Sequence, residues 1–181
     1  MTFPISPETF WEVFAEKFGA EWNDPDKQLA SSYNNAPEWK TYITGFLNGL
    51  SSFFSCVSDI EYWPKLDVAY FDKVGGQWGE WALEVAIEHE NNVNWHEELS
   101  KLLMINAGLK VLIAYEDCHD QLLKMLSRFV VIYKSRKYLC ANSGWLVIIG
   151  PRHIPAKRDF VAYKFDGNAI EEITGGKKII S

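Results

Sequence analysis

Between Asp67 and Asn91 the chain sets out carboxylates at spacings that suggest a shared task. The stretch WALEVAIEHEN, residues 81–91, read with a period of two, puts Leu83, Val85 and Ile87 on one face and Glu84, Ala86, Glu88 and Glu90 on the other. Like charges would then stand about 7 Å apart along one side of a strand. Asp67 opens the segment LDVAYF, and a short meander would bring it beside the strand end that carries Glu88 and Glu90. Three carboxylates within about 5 Å of one another repel by roughly 3 kcal/mol per pair at an effective dielectric of 20. A proton, water or a divalent cation must relieve that repulsion. Hard oxygen ligands, with water and phosphate in the remaining positions, suit Mg²⁺ or Mn²⁺. Such an ion polarises a phosphodiester and acidifies a bound water. The competing expectation is an ordinary alternating strand whose Glu84, Glu88 and Glu90 face solvent.

The elements that must position these residues are legible in outline. Ser6 as N-cap, Pro7 at the first helical position and Gly19 beyond the end frame a short helix with Phe10, Phe14 and Phe18 on one side. NDPDKQLASSYNNAP reads as a polar connector, and a second helix runs from Pro37 to about Phe54. VSDIEYW and LDVAYFDK read as strands, and VGGQWGE turns the chain into the acidic strand. Asn94 and Glu97 resemble a capping box opening a helix that Gly108 closes. LKVLIAYED is a nearly continuous apolar run, as in a strand covered on both faces. A helix over about 120–137, the strand GWLVIIGPR, and a peripheral strand DFVAYKFDGN with a turn at Asp166–Gly167 complete the order. The expected class is α/β, a mixed central sheet with helices on both faces.

The same residues carry a family resemblance. PKLDVAYF, AIEHEN, the helix EELSKLL and the strand LKVLIAY resemble the PD-(D/E)xK, or restriction endonuclease-like, nuclease superfamily over about residues 37–117. The resemblance implies an α-β-β-β-α-β core, with residues 1–36 as an N-terminal helical extension and 118–181 as a further helix and strands of one domain. Asp67 looks like the Asp of the motif and Glu88 like its Asp/Glu, both binding Mg²⁺ in that superfamily. Glu90 stands where the motif has Lys, as a ligand or a group that orients water, and Lys101 on the following helix is the candidate to supply the missing positive charge. The motif's Pro does not directly precede the Asp, since Lys65 and Leu66 separate Pro64 from Asp67. Glu38 is a further possible ligand, while Glu84 is expected outside the site. The implied function is metal-dependent hydrolysis of DNA. The absent motif Lys and the acidic first half support a second expectation, a catalytically inactive domain of this fold serving as a binding or interaction module.

Composition sets the outer bounds. The chain has 181 residues with 48% hydrophobic and 23% charged positions, values of a globular domain. The net charge of −6 is uneven: residues 1–90 hold 5 Lys/Arg against 15 Asp/Glu, residues 91–181 hold 13 against 9. A local phosphate-binding surface is therefore compatible with the acidic total. Cys56, Cys118 and Cys140 form no CxxC pair, which argues against a disulfide framework or zinc site and for a reducing compartment. No basic segment precedes an apolar run at the N-terminus, and no window spans a membrane, so a cytoplasmic protein is expected. No His pair has zinc spacing, and His89 is expected to be a satisfied side chain rather than a base. Trp39 and Trp95 are candidates for stacking on bases. A homodimer or a partner subunit is expected if specificity lies outside so small a core.

Overall fold

The computed structural model of the chain describes residues 5–27, 29–62, 65–72, 82–90, 95–136, 143–153, 159–165, 169–175 and 179. Helix α1 (Pro7–Trp22) starts where Ser6 Oγ accepts the Thr9 N–H at 3.1 Å, with Pro7 at the first helical position. A short helix α2 (Leu29–Tyr33) follows, within the segment expected to be a connector. Helix α3 (Ala36–Leu50) passes through a 3-10 turn, Ser51–Phe54, into strand β1 (Val57–Tyr62). Strands β2 (Leu66–Asp72) and β3 (Ala82–Glu90) come next. Helix α4 (Trp95–Met104), strand β4 (Leu109–Tyr115), helix α5 (His119–Arg136) and strands β5 (Gly144–Gly150), β6 (Val161–Phe165) and β7 (Ile170–Glu172) complete the chain.

The seven strands form one mixed sheet in sequence order. β3, β4 and β5 are parallel, while β1–β2–β3 and β5–β6–β7 pair antiparallel. The two parallel steps need crossovers, which α4 and α5 provide. Phe10, Phe14 and Phe18 of α1 pack with Ile43 and Leu47 of α3 over Val85, Ile87, Val111 and Ile148 on one sheet face. Leu99, Leu102 and Leu103 of α4 pack with Leu122 and Phe129 of α5 over Ala86, Leu112 and Val147 on the other. All residues of β4 are buried, as its apolar run predicts. α1 thus shares its core with α3 and the central strands.

Several details depart from the sequence reading. α4 ends at Met104, so Gly108 is not its C-terminal cap. The Gly108 N–H instead donates to Leu83 O at 3.2 Å, joining the start of β4 to β3. α2 and β7 are additions the sequence reading did not make. On the β3 face carrying Glu84, Glu88 and Glu90, Glu88 is buried and the other two are half-buried, because α4 lies across it. The VGGQWGE turn, Asn94, Cys140 and the turn at 166–167 lie outside the described residues.

Candidate functional site

The site follows from the antiparallel pairing of β2 with β3. Val68 faces Ile87, and one step further along the ladder Asp67 comes beside Glu88. Asp67 Oδ2 accepts the His89 N–H at 2.9 Å, which fixes the carboxylate against the neighbouring strand. Lys65, at the left-handed φ of 74°, turns the chain into β2 directly before these residues. A cleft of about 490 Å³ opens there, lined by Asp67, Glu90, Lys40, Lys65, Glu98 and Lys101 among others.

Glu88 is the unusual member. It is 0% exposed, and neither carboxylate oxygen has a hydrogen-bond partner among the described residues. Lys101 Nζ stands 3.1 Å from Glu88 Oε1, an ion-pair distance without hydrogen-bond alignment, and also pairs with Glu98 one helical turn back. Burial, then the adjacent Glu98 and Asp67 carboxylates, push the Glu88 carboxyl up to about 10. Burial alone would lower the Lys101 ammonium, but Glu98 and Glu88 together hold it above its ordinary range. The two shifts are not those of a simple ion pair, in which the carboxyl would be lowered. Glu98 Oε2, like the Glu88 oxygens, has no aligned donor among the described residues, and Glu88 is left as a buried carboxyl that retains a proton shared towards Glu98.

Behind Asp67 lies a buried polar chain. His89 Nε2 is 2.8 Å from Tyr115 Oη, which accepts the Trp39 indole N–H at 2.8 Å. Trp39 can only donate, so the Tyr115 hydroxyl is free to donate to His89 Nε2, which leaves the ring proton on Nδ1. Burial lowers the His89 pKa to about 4 against the pull of Asp67, so the ring is neutral at pH 7. His89 is therefore a satisfied core side chain that supports Asp67 through its backbone. Trp39, 2% exposed and committed to Tyr115, is not available for base stacking.

Of the residues singled out from sequence, the structure brings Asp67, Glu88 and Lys101 together and places Glu90 on the wall of the same cleft. Glu38, exposed in the first turn of α3, does not line that cleft; its near neighbour Lys40 does, 3.6 Å from Asp67 Oδ1. Glu84 lies four residues before Glu88 on β3, at the bulge between Tyr70 and Phe71, with burial and then Asp72 raising its pKa rather than a cation lowering it. Glu98 was missed: at three residues before Lys101 it reads as half of an ordinary surface ion pair. Tyr115 was also missed, because it ends an apolar strand.

Among the described residues, no three His, Cys, Asp or Glu side chains form a group able to hold a metal ion. The site offers a buried carboxyl, Glu88, with no hydrogen-bond donor among the described residues, next to Asp67 on the wall of an open cleft. Mg²⁺ is commonly held by one or two carboxylates with water in the other positions. No helix among the described residues is long and apolar enough to cross a membrane. Comparison with protein-family models, with curated proteins and with solved structures finds no match for this chain.

Proposed function

We propose that this chain is a divalent-metal-dependent phosphodiesterase acting on DNA, with a restriction endonuclease-like core formed by α3, β1, β2, β3, α4 and β4. The observation that carries the reading is Glu88: a fully buried carboxyl with no hydrogen-bond donor among the described residues, behind Asp67 on the cleft wall, is costly unless a cation or proton occupies it. Asp67 and Glu88 would hold Mg²⁺ or Mn²⁺, with Glu90 on the cleft wall as a further ligand or an acceptor for water. The ion, when bound, would polarise the phosphodiester and acidify a water. Lys101 and Lys40 bring positive charge to the same cleft, where they offset the phosphate. His89 and Tyr115 hold Asp67 in place through the β3 backbone. Cleavage of plasmid or branched DNA with Mg²⁺ or Mn²⁺ tests this. Asp67→Ala and Glu88→Ala should each abolish it, and cleavage that survives both substitutions overturns the assignment.

A specific observation favours a second reading, a binding module without catalysis. Each of the two central carboxylates already has a lysine nearby, Lys40 for Asp67 and Lys101 for Glu88. Calorimetry with Mn²⁺ separates the two. Binding that Asp67→Ala removes supports the enzyme, and the absence of binding at millimolar Mn²⁺ supports the module.

A further inference from the structure

β3, β4 and β5 run parallel, so their C-terminal ends meet at one edge of the sheet. Ligands of open α/β sheets gather at such edges. Asp67 and Glu88 stand at the β2–β3 end of it. Two strands away, about 10 Å across the sheet, a second cleft of about 200 Å³ opens between α4, α5 and the ends of β4 and β5. Its lining includes Arg152, Lys124 and Arg128 against the single carboxylate of Glu116, with Gln121 and Trp95 beside them. In a chain of net charge −6 this is a locally cationic hollow.

The three cations differ in a way that suggests a bound anion. Arg152 is built in: its Nε donates to Tyr115 O at 3.3 Å, Nη2 lies 3.4 Å from Glu116 Oε2, and its backbone N–H donates to Asp117 Oδ1 at 2.7 Å. Glu116 is engaged as well, through the Cys118 N–H at 3.0 Å. Lys124 and Arg128 stand one helical turn apart on the same side of α5 and have no ion-pair partner among the described residues. Like charges at that spacing repel, and Gln121, one turn before Lys124, adds no charge to offset them. An anion lying between Arg152 and this pair would relieve the repulsion, and guanidinium groups match phosphate in geometry. Trp95 on the wall is buried in the α4–α5 core, so the cleft recognises its ligand by charge rather than by stacking.

We propose that the cleft formed by Lys124, Arg128 and Arg152 binds a phosphate of the nucleic-acid strand whose reacting phosphodiester lies at Asp67 and Glu88. This deepens the phosphodiesterase reading and rests on it for the identity of the strand. The bound group is either an internal phosphodiester or a terminal phosphate monoester of that strand.

The test is fluorescence anisotropy of a labelled oligo(dT), with and without a 5′-phosphate, over a range of salt in EDTA, so that no turnover occurs. The double substitution Lys124→Gln/Arg128→Gln changes only exposed side chains, and its melting curve serves as the control for folding. The expected result is a loss of affinity of at least about tenfold at low salt and a fall of about 1 to 2 in the slope of log affinity against log salt. An effect seen only with the 5′-phosphorylated strand assigns the cleft to a strand end; an equal effect on both assigns it to an internal phosphate. Equal binding by wild type and double variant overturns the proposal, as does binding of poly-glutamate but not oligo(dT). Either failure leaves Mn²⁺ binding at Asp67 and Glu88 untouched. If Mn²⁺ binding fails while the oligonucleotide effect holds, the phosphodiesterase reading falls and the phosphate site stands.

Discussion

A carboxyl group placed where Glu88 sits must keep a proton or acquire a cation, and the folded chain chooses the proton. In the unfolded chain Glu88 titrates near the ordinary carboxyl value of 4.5, and in the folded chain its pKa is pushed up to about 10. Between those values the folded state holds the extra proton, so this residue lowers stability as pH rises. His89 acts in the opposite sense. With its pKa lowered from 6.5 to about 4, it binds a proton in the unfolded chain first, so stability is lost as pH falls from about 6.5 to 4. The two slopes oppose each other between about 4.5 and 6.5, and Glu88 alone acts above that. Glu88→Gln should therefore raise metal-free stability by about 1–3 kcal/mol at pH 8, with the gain shrinking towards pH 5. Chemical denaturation at the two pH values reads this directly, and a variant less stable than wild type at pH 8 would mean that Lys101 holds Glu88 ionised. The same proton should leave when Mn²⁺ arrives. Calorimetry in buffers of different ionisation enthalpy should then record release of about one proton per ion near pH 7, and of none in Glu88→Gln.

At the scale of elements, the β5 end shows how tightly the site's supports are packed. A Cβ on Gly150 would come within 2.5 Å of the Phe160 ring and 2.9 Å of the Tyr115 ring. Both rings belong to the buried aromatic cluster, so Gly150→Ala should cost about 1–3 kcal/mol. It should also disturb the Tyr115–His89 hydrogen bond, visible as a changed His89 imidazole resonance; an unaltered melting curve would show that the rings yield easily. Ser6→Ala removes the α1 cap, for an expected loss of about 1 kcal/mol in the same assay. These elements differ in how openly the sequence states them. α1 carries Ser6, Pro7 and a repeating Phe, and β4 an unbroken apolar run, so pattern alone finds both. α2 has five residues and β7 three, too few for any period to register. For the site, alternation in β3 identified Glu88 but implied that its face met water. Only the parallel pairing with β4 and the cover of α4 reveal that it is buried, and neither is a local property of the strand. Glu98 was hidden for the opposite reason: its spacing to Lys101 is that of any exposed helix pair.

For the whole molecule, α1 and α3 together cover one face of the sheet. Phe10, Trp11, Phe14 and Phe18 are buried against α3 and the central strands. A chain beginning at Ala36 would expose that apolar face, and it should be recovered as aggregate or bind a hydrophobic dye strongly; a soluble, cooperatively melting product would contradict this packing. The charge asymmetry of the sequence also acquires a place. Carboxylates gather at the β2–β3 end of the sheet edge, and Lys124 and Arg128 of α5, without an ion-pair partner among the described residues, stand beside β4 and β5.

β3 lies in the interior of the sheet, hydrogen-bonded on both sides and covered by a helical layer on each face. The amide of His89 that grips Asp67 therefore belongs to the region where hydrogen exchange with solvent requires opening of the entire domain. Side chains on such a strand do not fray into alternative arrangements with the loops around them; they persist or vanish with the native state as a whole.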